Sequence, residues 1–149
     1  MKDIFATIYE IWFQLWNSDF SLIFDTLFDD YGYIMFGVSF ILIPLILWFL
    51  FYYVWNYPYG KFWHWLGWLI ITSLFVAVIT LVIANNEIFI SNNQALINAL
   101  DDPDSGYKQF AESLPLKYAS INGILSIVVG FIYSLILKQF SKIQMHLPF

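Results

Sequence analysis

A short aromatic stretch near the middle of the chain holds its most conspicuous candidate for chemistry. The sequence WNYPYGKFWHWLGW, residues 55–68, surrounds His64 and Lys61 with Trp and Tyr rings. Such rings can form a box for a cation, and histidine exchanges protons near neutral pH. The same rings also concentrate where a membrane-spanning helix meets the lipid headgroups. A working His64 in a small membrane enzyme is therefore one hypothesis, and an interfacial His64 is the other.

The local sequence favours the interfacial interpretation. Asn56, Pro58 and Gly60 supply turn chemistry between two long apolar segments, and the side chain of Lys61 can extend its ammonium toward headgroups. We therefore predict an interfacial aromatic belt made of Trp55, Tyr57, Tyr59, Trp63, Trp65 and Trp68.

Other candidates for chemistry are sparse. The chain has no cysteine, so it offers neither a thiol nucleophile nor a thiolate metal site. DDPDSG, residues 101–106, lacks the ligand spacing of a calcium loop, and it is instead a strong turn signal. His64 and His146 are the only histidines, with no acidic residue predicted near them. The sequence therefore predicts no catalytic residue, no cofactor, no metal and no enzymatic activity.

Composition points to a membrane. Of the 149 residues, 60% are hydrophobic and 11% are charged, whereas soluble domains carry about 25% charged residues. The net charge is −5 and arginine is absent, which excludes the clustered basic residues that nucleic-acid binding requires. A lipid bilayer is the expected surrounding.

Three segments, 31–55, 63–86 and 118–137, are free of Asp, Glu, Lys and Arg. Each is long enough to cross a bilayer, which takes about 20 apolar residues in a helix. We predict an all-α integral membrane protein with three transmembrane helices. A short cytoplasmic turn (56–62), an extracytoplasmic loop (87–117) and a cytoplasmic tail (138–149) complete the organisation.

The N-terminal segment, residues 1–30, is expected to form an amphipathic interfacial helix. Asp3 and Glu10 interrupt its apolar runs, which is unlike a signal peptide. Its polar face is acidic, so docking on protein and docking on lipid both stay open. The apolar positions recur at helical spacing and are Ile4, Ile8, Ile11, Trp12, Leu15 and Trp16.

The loop 87–117 is expected to be partly helical. Residues 95–100 suggest one short helix, and a second stretch, Tyr107 to Leu114, is predicted to end before Pro115. The apolar positions of the loop indicate a small packed cap or a docking surface.

Two stripes of small residues follow the second and third spans. Small residues allow helix backbones to approach closely in lipid, so these faces are predicted to pack, either within one chain or between copies. The stripes are Ser73, Ala77, Thr80 and Ala84 on one helix, and Ala119, Gly123, Ser126, Gly130 and Ser134 on the other.

Two further residues within the spans stand out. Asn122 is the one strongly polar residue inside a span, and it is expected to form an interhelical hydrogen bond or, less simply, to line a pore. Pro44 lies in the middle of the first span and removes a backbone donor, which predicts a kink.

Charge gives a direction across the membrane. The six lysines divide evenly between the two sides, but all eleven acidic residues fall with the N-terminus and the 87–117 loop. We predict that the N-terminus is extracytoplasmic and the C-terminus cytoplasmic. Residue usage, without Arg and rich in Ile, Phe, Asn and Lys, suggests a bacterial inner membrane.

Two classes of function remain beside the His64 enzyme. One is a non-catalytic subunit of a larger envelope complex of the secretion, injection or motor type, whose partners are other membrane subunits or copies of itself. The other is a subunit of an oligomeric channel or transporter, in which Ser73, Thr80, Asn122 and Ser126 would line the pore.

Overall fold

A computed structural model of the chain describes residues 2–54, 62–91 and 93–140, and these residues form an all-helical structure. The α-helices are α1 (Lys2–Thr7), α2 (Ser21–Asp29), α3 (Gly32–Phe49), α4 (Phe62–Phe89), α5 (Gln94–Asp101) and α6 (Tyr107–Phe140). A π-helical turn, Ile8–Trp12, continues α1, and another, Leu50–Val54, continues α3. A 3₁₀ turn at Ser18–Phe20 precedes α2.

Three helices are long and apolar enough to cross a bilayer. They cover Gly32–Val54, Phe62–Phe89 and Tyr107–Phe140, with 23, 28 and 34 residues. A rise of 1.5 Å per residue makes even the shortest about 35 Å long, against a hydrocarbon core of about 30 Å. The predicted fold class is confirmed: shorter N-terminal helices precede three candidate transmembrane helices, as expected of an integral membrane protein.

The third long helix begins earlier than the sequence predicts. α6 does not break at Pro115 but runs through it from Tyr107. Ala111, Leu114 and Tyr118 are buried in one apolar cluster on both sides of the proline. That continuous packing holds the two stretches in line although proline removes one backbone hydrogen bond. The connection between α4 and α6 is accordingly shorter than the predicted loop 87–117, and Glu87 belongs to the last turns of α4.

Burial in the three long helices differs from that in a water-soluble bundle. Several polar side chains are inside together with apolar ones, and apolar side chains such as Leu42, Val78 and Ile124 are exposed. This arrangement is stable where the surrounding solvent is lipid, because a polar group in hydrocarbon needs an internal partner. The buried polar residues of these helices are Ser39, Thr72, Thr80, Asn122, Ser126 and Ser134.

One end of the bundle carries a cap of short helices, which we call the acidic end. It comprises residues 2–31, the end of α4 from Asn85, α5 and its flanking turns, and α6 up to Lys117. Ile23 and Leu27 of α2 and Leu96 of α5 join α6 residues in the apolar cluster. The amide of Asn93 donates to the Thr26 hydroxyl at 2.9 Å, which connects the start of α5 to α2. All eleven Asp and Glu residues lie at this end.

The N-terminal segment, which we define as residues 2–16, presents an unexpected face to the bundle. Ala6 and Tyr9 are its buried residues, and Phe5 packs against the same cluster. Most of the predicted apolar stripe faces away, because Ile4, Ile11, Trp12 and Trp16 are all more than half exposed. Helical spacing identified the amphipathic pattern, but it did not show that the more apolar side would turn away from the protein.

Candidate functional site

Asn122 of α6 is the centre of the most connected polar contact in the described residues. It is fully buried. Its Nδ2 donates to the Phe36 carbonyl at 3.0 Å and the Thr80 hydroxyl at 2.9 Å, and Ser39 Oγ lies 3.3 Å away. One amide side chain thus joins α6 to both α3 and α4. In lipid such a group finds no water, so internal partners decide its stability.

The fourth partner of Asn122 comes from the N-terminal segment. The Tyr9 hydroxyl donates to Asn122 Oδ1 at 2.5 Å, and Tyr9 is fully buried. Burial raises the pKa of Tyr9, so its hydroxyl stays protonated as the donor. The segment therefore reaches the interior of the bundle and does not merely lie on it.

A carboxylate lies one residue further along. The Tyr33 hydroxyl donates to Glu10 Oε1 at 2.6 Å. Burial raises the pKa of Glu10, the hydrogen bond from Tyr33 opposes that rise, and nearby Asp25 adds to it. Glu10 therefore turns its carboxyl group toward the protein, on the side of the segment opposite to the exposed apolar residues.

Aromatic rings surround these polar atoms. Tyr9 stacks on Tyr33 with ring centroids 5.9 Å apart, and it meets Phe36 and Tyr118 edge-on at 5.8 and 5.4 Å. Such pairs stabilise beyond the area they bury. The whole arrangement binds elements of the chain to one another through the Asn122 amide and the Tyr9 and Tyr33 hydroxyls, while the buried Tyr118 hydroxyl has no hydrogen-bond partner among the described residues.

A second polar contact lies at the opposite end of the bundle, where α3 ends and α4 begins. Ser134 Oγ accepts from Trp65 Nε1 at 2.6 Å and shares a hydrogen bond with the Tyr52 hydroxyl at 2.8 Å. Trp48 stacks on Tyr52 with ring centroids 5.8 Å apart. This contact also joins α3, α4 and α6, but here aromatic residues dominate.

The two predicted small-residue stripes approach each other within one chain at one level. A side chain added at Gly123 would lie 3.4 Å from Ser73 Oγ and 3.5 Å from Ala77 Cβ, and Ser73 donates to the Gly123 carbonyl at 2.8 Å. Gly130 lies against Trp48 Nε1 of α3 and Leu69 of α4. The remaining stripe residues Thr80, Ala84, Ala119, Ser126 and Ser134 are buried.

The predicted aromatic belt is only partly within the described residues. Trp55, Tyr57 and Tyr59 lie outside them. Trp63 is exposed, and half-buried Trp68 donates to the Leu47 carbonyl at 3.2 Å. Trp65 lies inside the bundle, bound to Ser134, rather than facing headgroups. His64 is exposed in the first turn of α4.

The DDPDSG turn and Pro44 both lie within the described residues. In the DDPDSG turn, Asp102 Oδ1 accepts from the Asp104 backbone N–H at 3.0 Å, and the Ser105 hydroxyl donates to the Ala99 carbonyl at 2.8 Å. Over residues 2–54, 62–91 and 93–140, no group of three or more His, Asp and Glu could hold a metal ion. Pro44 is buried within α3, and its kink stays a prediction.

Sequence reasoning placed Asn122 in a packing role but missed its partners. Tyr9 and Ser39 are ordinary residue types for their segments, and no local pattern links either to a position far along the chain. One signal was present: Glu10 next to Tyr9 puts two polar groups side by side in an otherwise apolar stretch.

Comparison with known proteins provides no relative from which a function could be transferred. No family model, no curated protein and no solved structure matches the chain significantly.

Proposed function

We propose that the protein is a non-catalytic integral membrane subunit that docks into a larger envelope complex, of the secretion, injection or motor type, through its acidic end. The observation that carries the proposal is the separation of charge along the bundle. Eleven carboxylates and only Lys2, Lys108 and Lys117 give the acidic end a formal net charge of −8. A surface of one sign attracts and orients a basic partner.

The acidic surface is also well ordered, which supports its use as a docking surface for a partner. Asp101, Asp102 and Asp104 are exposed on a turn that backbone and hydroxyl hydrogen bonds fix. Glu112 is exposed on the first turns of α6, a short distance along the chain. A pre-ordered surface loses little conformational entropy when it binds.

The small-residue faces, in contrast, contribute little to docking in this proposal. Gly123 and Gly130 are occupied by contacts within the chain. Away from their ends, the exposed surface of the three long helices is mainly apolar and suits lipid. Orientation with the acidic end extracytoplasmic stays part of the proposal, in line with the lysine and acid distribution.

The alternative, a subunit of a channel or transporter, receives less support. Thr80, Asn122 and Ser126 are buried and hydrogen-bonded within one chain, and Ser73 bonds to Gly123. These side chains are therefore not directed toward a pore between copies. A pore would require these contacts to rearrange.

Native mass spectrometry of the full chain, purified in detergent from its own membrane, tests the proposal. We expect a stoichiometric complex with non-identical membrane subunits that weakens at raised salt. Replacing Asp101, Asp102 and Asp104 by Asn should release those subunits. Gln139→Glu, at the exposed opposite end of α6, is the control and should leave the complex intact. A closed homo-oligomer that conducts ions in liposomes would overturn the proposal in favour of the channel.

A further inference from the structure

The N-terminal segment shows the burial pattern of the membrane-spanning helices rather than that of the cap to which it is joined. Two of its polar side chains point inward, because Tyr9 bonds to Asn122 and Glu10 accepts from Tyr33, whereas Asp3, Thr7 and Gln14 are exposed. Its outward residues are large and apolar, with Trp12 exposed by 75% and Ile11 by 66%. In water this arrangement would expose apolar surface while burying polar groups, and both changes are unfavourable.

The pattern switches abruptly after Trp16. Asn17 caps the next turn by accepting from the Asp19 N–H at 3.0 Å. From there α2 buries Ile23, Phe24 and Leu27 and exposes Asp25 and Asp29, which is the ordinary pattern for water. α5 follows the same rule, with Leu96 buried and Asn98 exposed. The burial pattern therefore changes close to residue 17 from one that suits an apolar surrounding to one that suits water.

The depth of the segment is consistent with that surrounding. Lys117 and Lys138 bracket the charge-free part of α6, which at 1.5 Å per residue is about 30 Å long and matches the hydrocarbon core. Asn122 then lies about 7 Å inside the boundary. Tyr9 reaches it, and the Phe5 ring lies on Gly37 and edge-on to Phe40, both beyond the first turn of α3.

Two further polar residues of the segment make contacts within the protein. Lys2 Nζ donates to the Asp29 carbonyl at 3.1 Å and lies 3.7 Å from the centre of the Tyr31 ring, at the entrance of α3. The Thr7 hydroxyl donates to the Asp3 carbonyl at 2.7 Å. Lysine and tyrosine at that level are typical anchors at a membrane interface.

We propose that residues 4–13 form a short membrane-embedded segment whose exposed face contacts the acyl chains of the leaflet at the acidic end. The contact is apolar: Ile4, Ile11, Trp12 and Phe13 supply it, and Lys2, the only cation of the segment, is held at Asp29 and Tyr31. Trp16, half exposed just before the switch, lies at the headgroup level. This inference is independent of docking through the acidic end.

Site-directed spin labelling tests the contact, and the absence of native cysteine makes single-label variants of the full chain straightforward. Ile4→Cys and Ile11→Cys are labelled in phosphatidylcholine vesicles that contain no other protein. Val78→Cys, on the exposed face of α4, is the lipid reference, and Asn98→Cys, exposed on α5, is the water reference. Power saturation then compares accessibility to oxygen with accessibility to a water-soluble nickel chelate.

We expect the labels at positions 4 and 11 to resemble position 78, with oxygen accessibility several-fold above that of nickel. Replacing part of the lipid by an anionic one should leave that ratio unchanged, because no free cation of the segment takes part. Accessibility to nickel like that of position 98 would overturn the proposal in favour of a water-exposed face. Low accessibility to both reagents, with dipolar broadening, would overturn it in favour of a second copy.

Substitutions at two glycines test whether the position of the segment depends on its contact with α3. A side chain at Gly37 would overlap the Phe5 ring, whereas one at Gly67 meets nothing within 4 Å. Gly37→Ala should therefore move the label at position 11 toward the water reference, and Gly67→Ala should not. If the label at position 11 stays in lipid in the Gly37→Ala variant, the Phe5–Gly37 contact does not hold the segment in place. The lipid contact itself is then judged from the accessibility of the label in the wild-type background.

Discussion

The Asn122 and Ser134 contacts both join the three long helices, but with different chemistry. On the side of the acidic end, Asn122 of α6 binds α3, α4 and the N-terminal segment through a central amide. At the opposite end Ser134 joins Tyr52 and Trp65 through a single hydroxyl within a group of stacked rings. An amide has two donors and an acceptor, so it can serve three or more neighbours, whereas a hydroxyl serves two or three.

The difference indicates which of the two contacts contributes more to the stability of the folded chain. Removing the amide takes away the hydrogen-bond partner of the Tyr9 hydroxyl and leaves Ser39 bonded only to Thr80 and to the Phe36 carbonyl, and each lost hydrogen bond is costly in an apolar surrounding. Removing the hydroxyl takes one hydrogen bond each from Tyr52 and Trp65, whose rings still bury apolar area. We therefore expect the Asn122 contact to be the more sensitive of the two.

The largest effect is expected for Asn122→Leu. Interhelical hydrogen bonds in membranes average about 0.6 kcal/mol each, so losing four should cost about 2 kcal/mol or slightly more. Unfolding in mixed micelles with increasing denaturing detergent measures the loss. Asn85→Leu is the matched control, because Asn85 is exposed and donates only to the Leu81 carbonyl of its own helix. Equal effects of the two substitutions would contradict a central role for Asn122.

Substitutions at Gly130 and Gly123 compare how closely the helices pack at two levels of the bundle. A methyl group at Gly130 would lie 2.7 Å from Trp48 Nε1, whereas at Gly123 the nearest atom is at 3.4 Å. Gly130→Ala should cost about 1–2 kcal/mol by overpacking, and Gly123→Ala should cost less. Thermal unfolding followed by circular dichroism gives both values. The reverse order would show that the stripe is tightest near Ser73 rather than near Trp48.

Ser134→Ala is expected to have a smaller effect. It removes one hydrogen bond from Trp65 Nε1 and one from the Tyr52 hydroxyl, for a loss of about 1 kcal/mol. The loss should therefore be about half that of Asn122→Leu. Ser120→Ala, whose exposed hydroxyl bonds only to the Leu116 carbonyl of its own helix, is the control and should be near neutral. A loss at Ser134 as large as that at Asn122 would remove the distinction between the two ends.

The smallest effect is a pH dependence confined to the acidic end. Burial raises the pKa of Glu10 above its ordinary value of 4.5, so the folded state favours the protonated form. This contribution to stability is fully present below pH 4.5 and is lost as pH rises through the folded-state pKa. Glu10→Gln stays neutral, so its stability relative to wild type should increase across that window and then level off.

Thermal midpoints between pH 4 and pH 8 measure this difference. Glu112→Gln, which removes the same formal charge from an exposed position, controls for net charge. A constant difference between Glu10→Gln and wild type across the range would contradict the buried environment of Glu10.

The limits of sequence reasoning are clearest in the N-terminal segment and in α6. Helical spacing identified an apolar stripe from Ile4 to Trp16, but periodicity cannot distinguish a face that turns to protein from one that turns to lipid. Pro115 predicts a helix end, because the residue before a proline is disfavoured in a helix. Packing of Leu114 and Tyr118 in the cluster outweighed that local penalty. In both places a long-range contact overruled a local preference.

The sequence by itself determined that three charge-poor helices can span a membrane and that all acidic residues fall at one end. Both follow from composition and from the fixed rise of a helix, which need no knowledge of neighbours. Only the tertiary structure decided that Tyr9 meets Asn122, that Ser134 meets Trp65, and that the N-terminal segment turns its polar side inward. These contacts join residues far apart along the chain, and helix packing alone selects them.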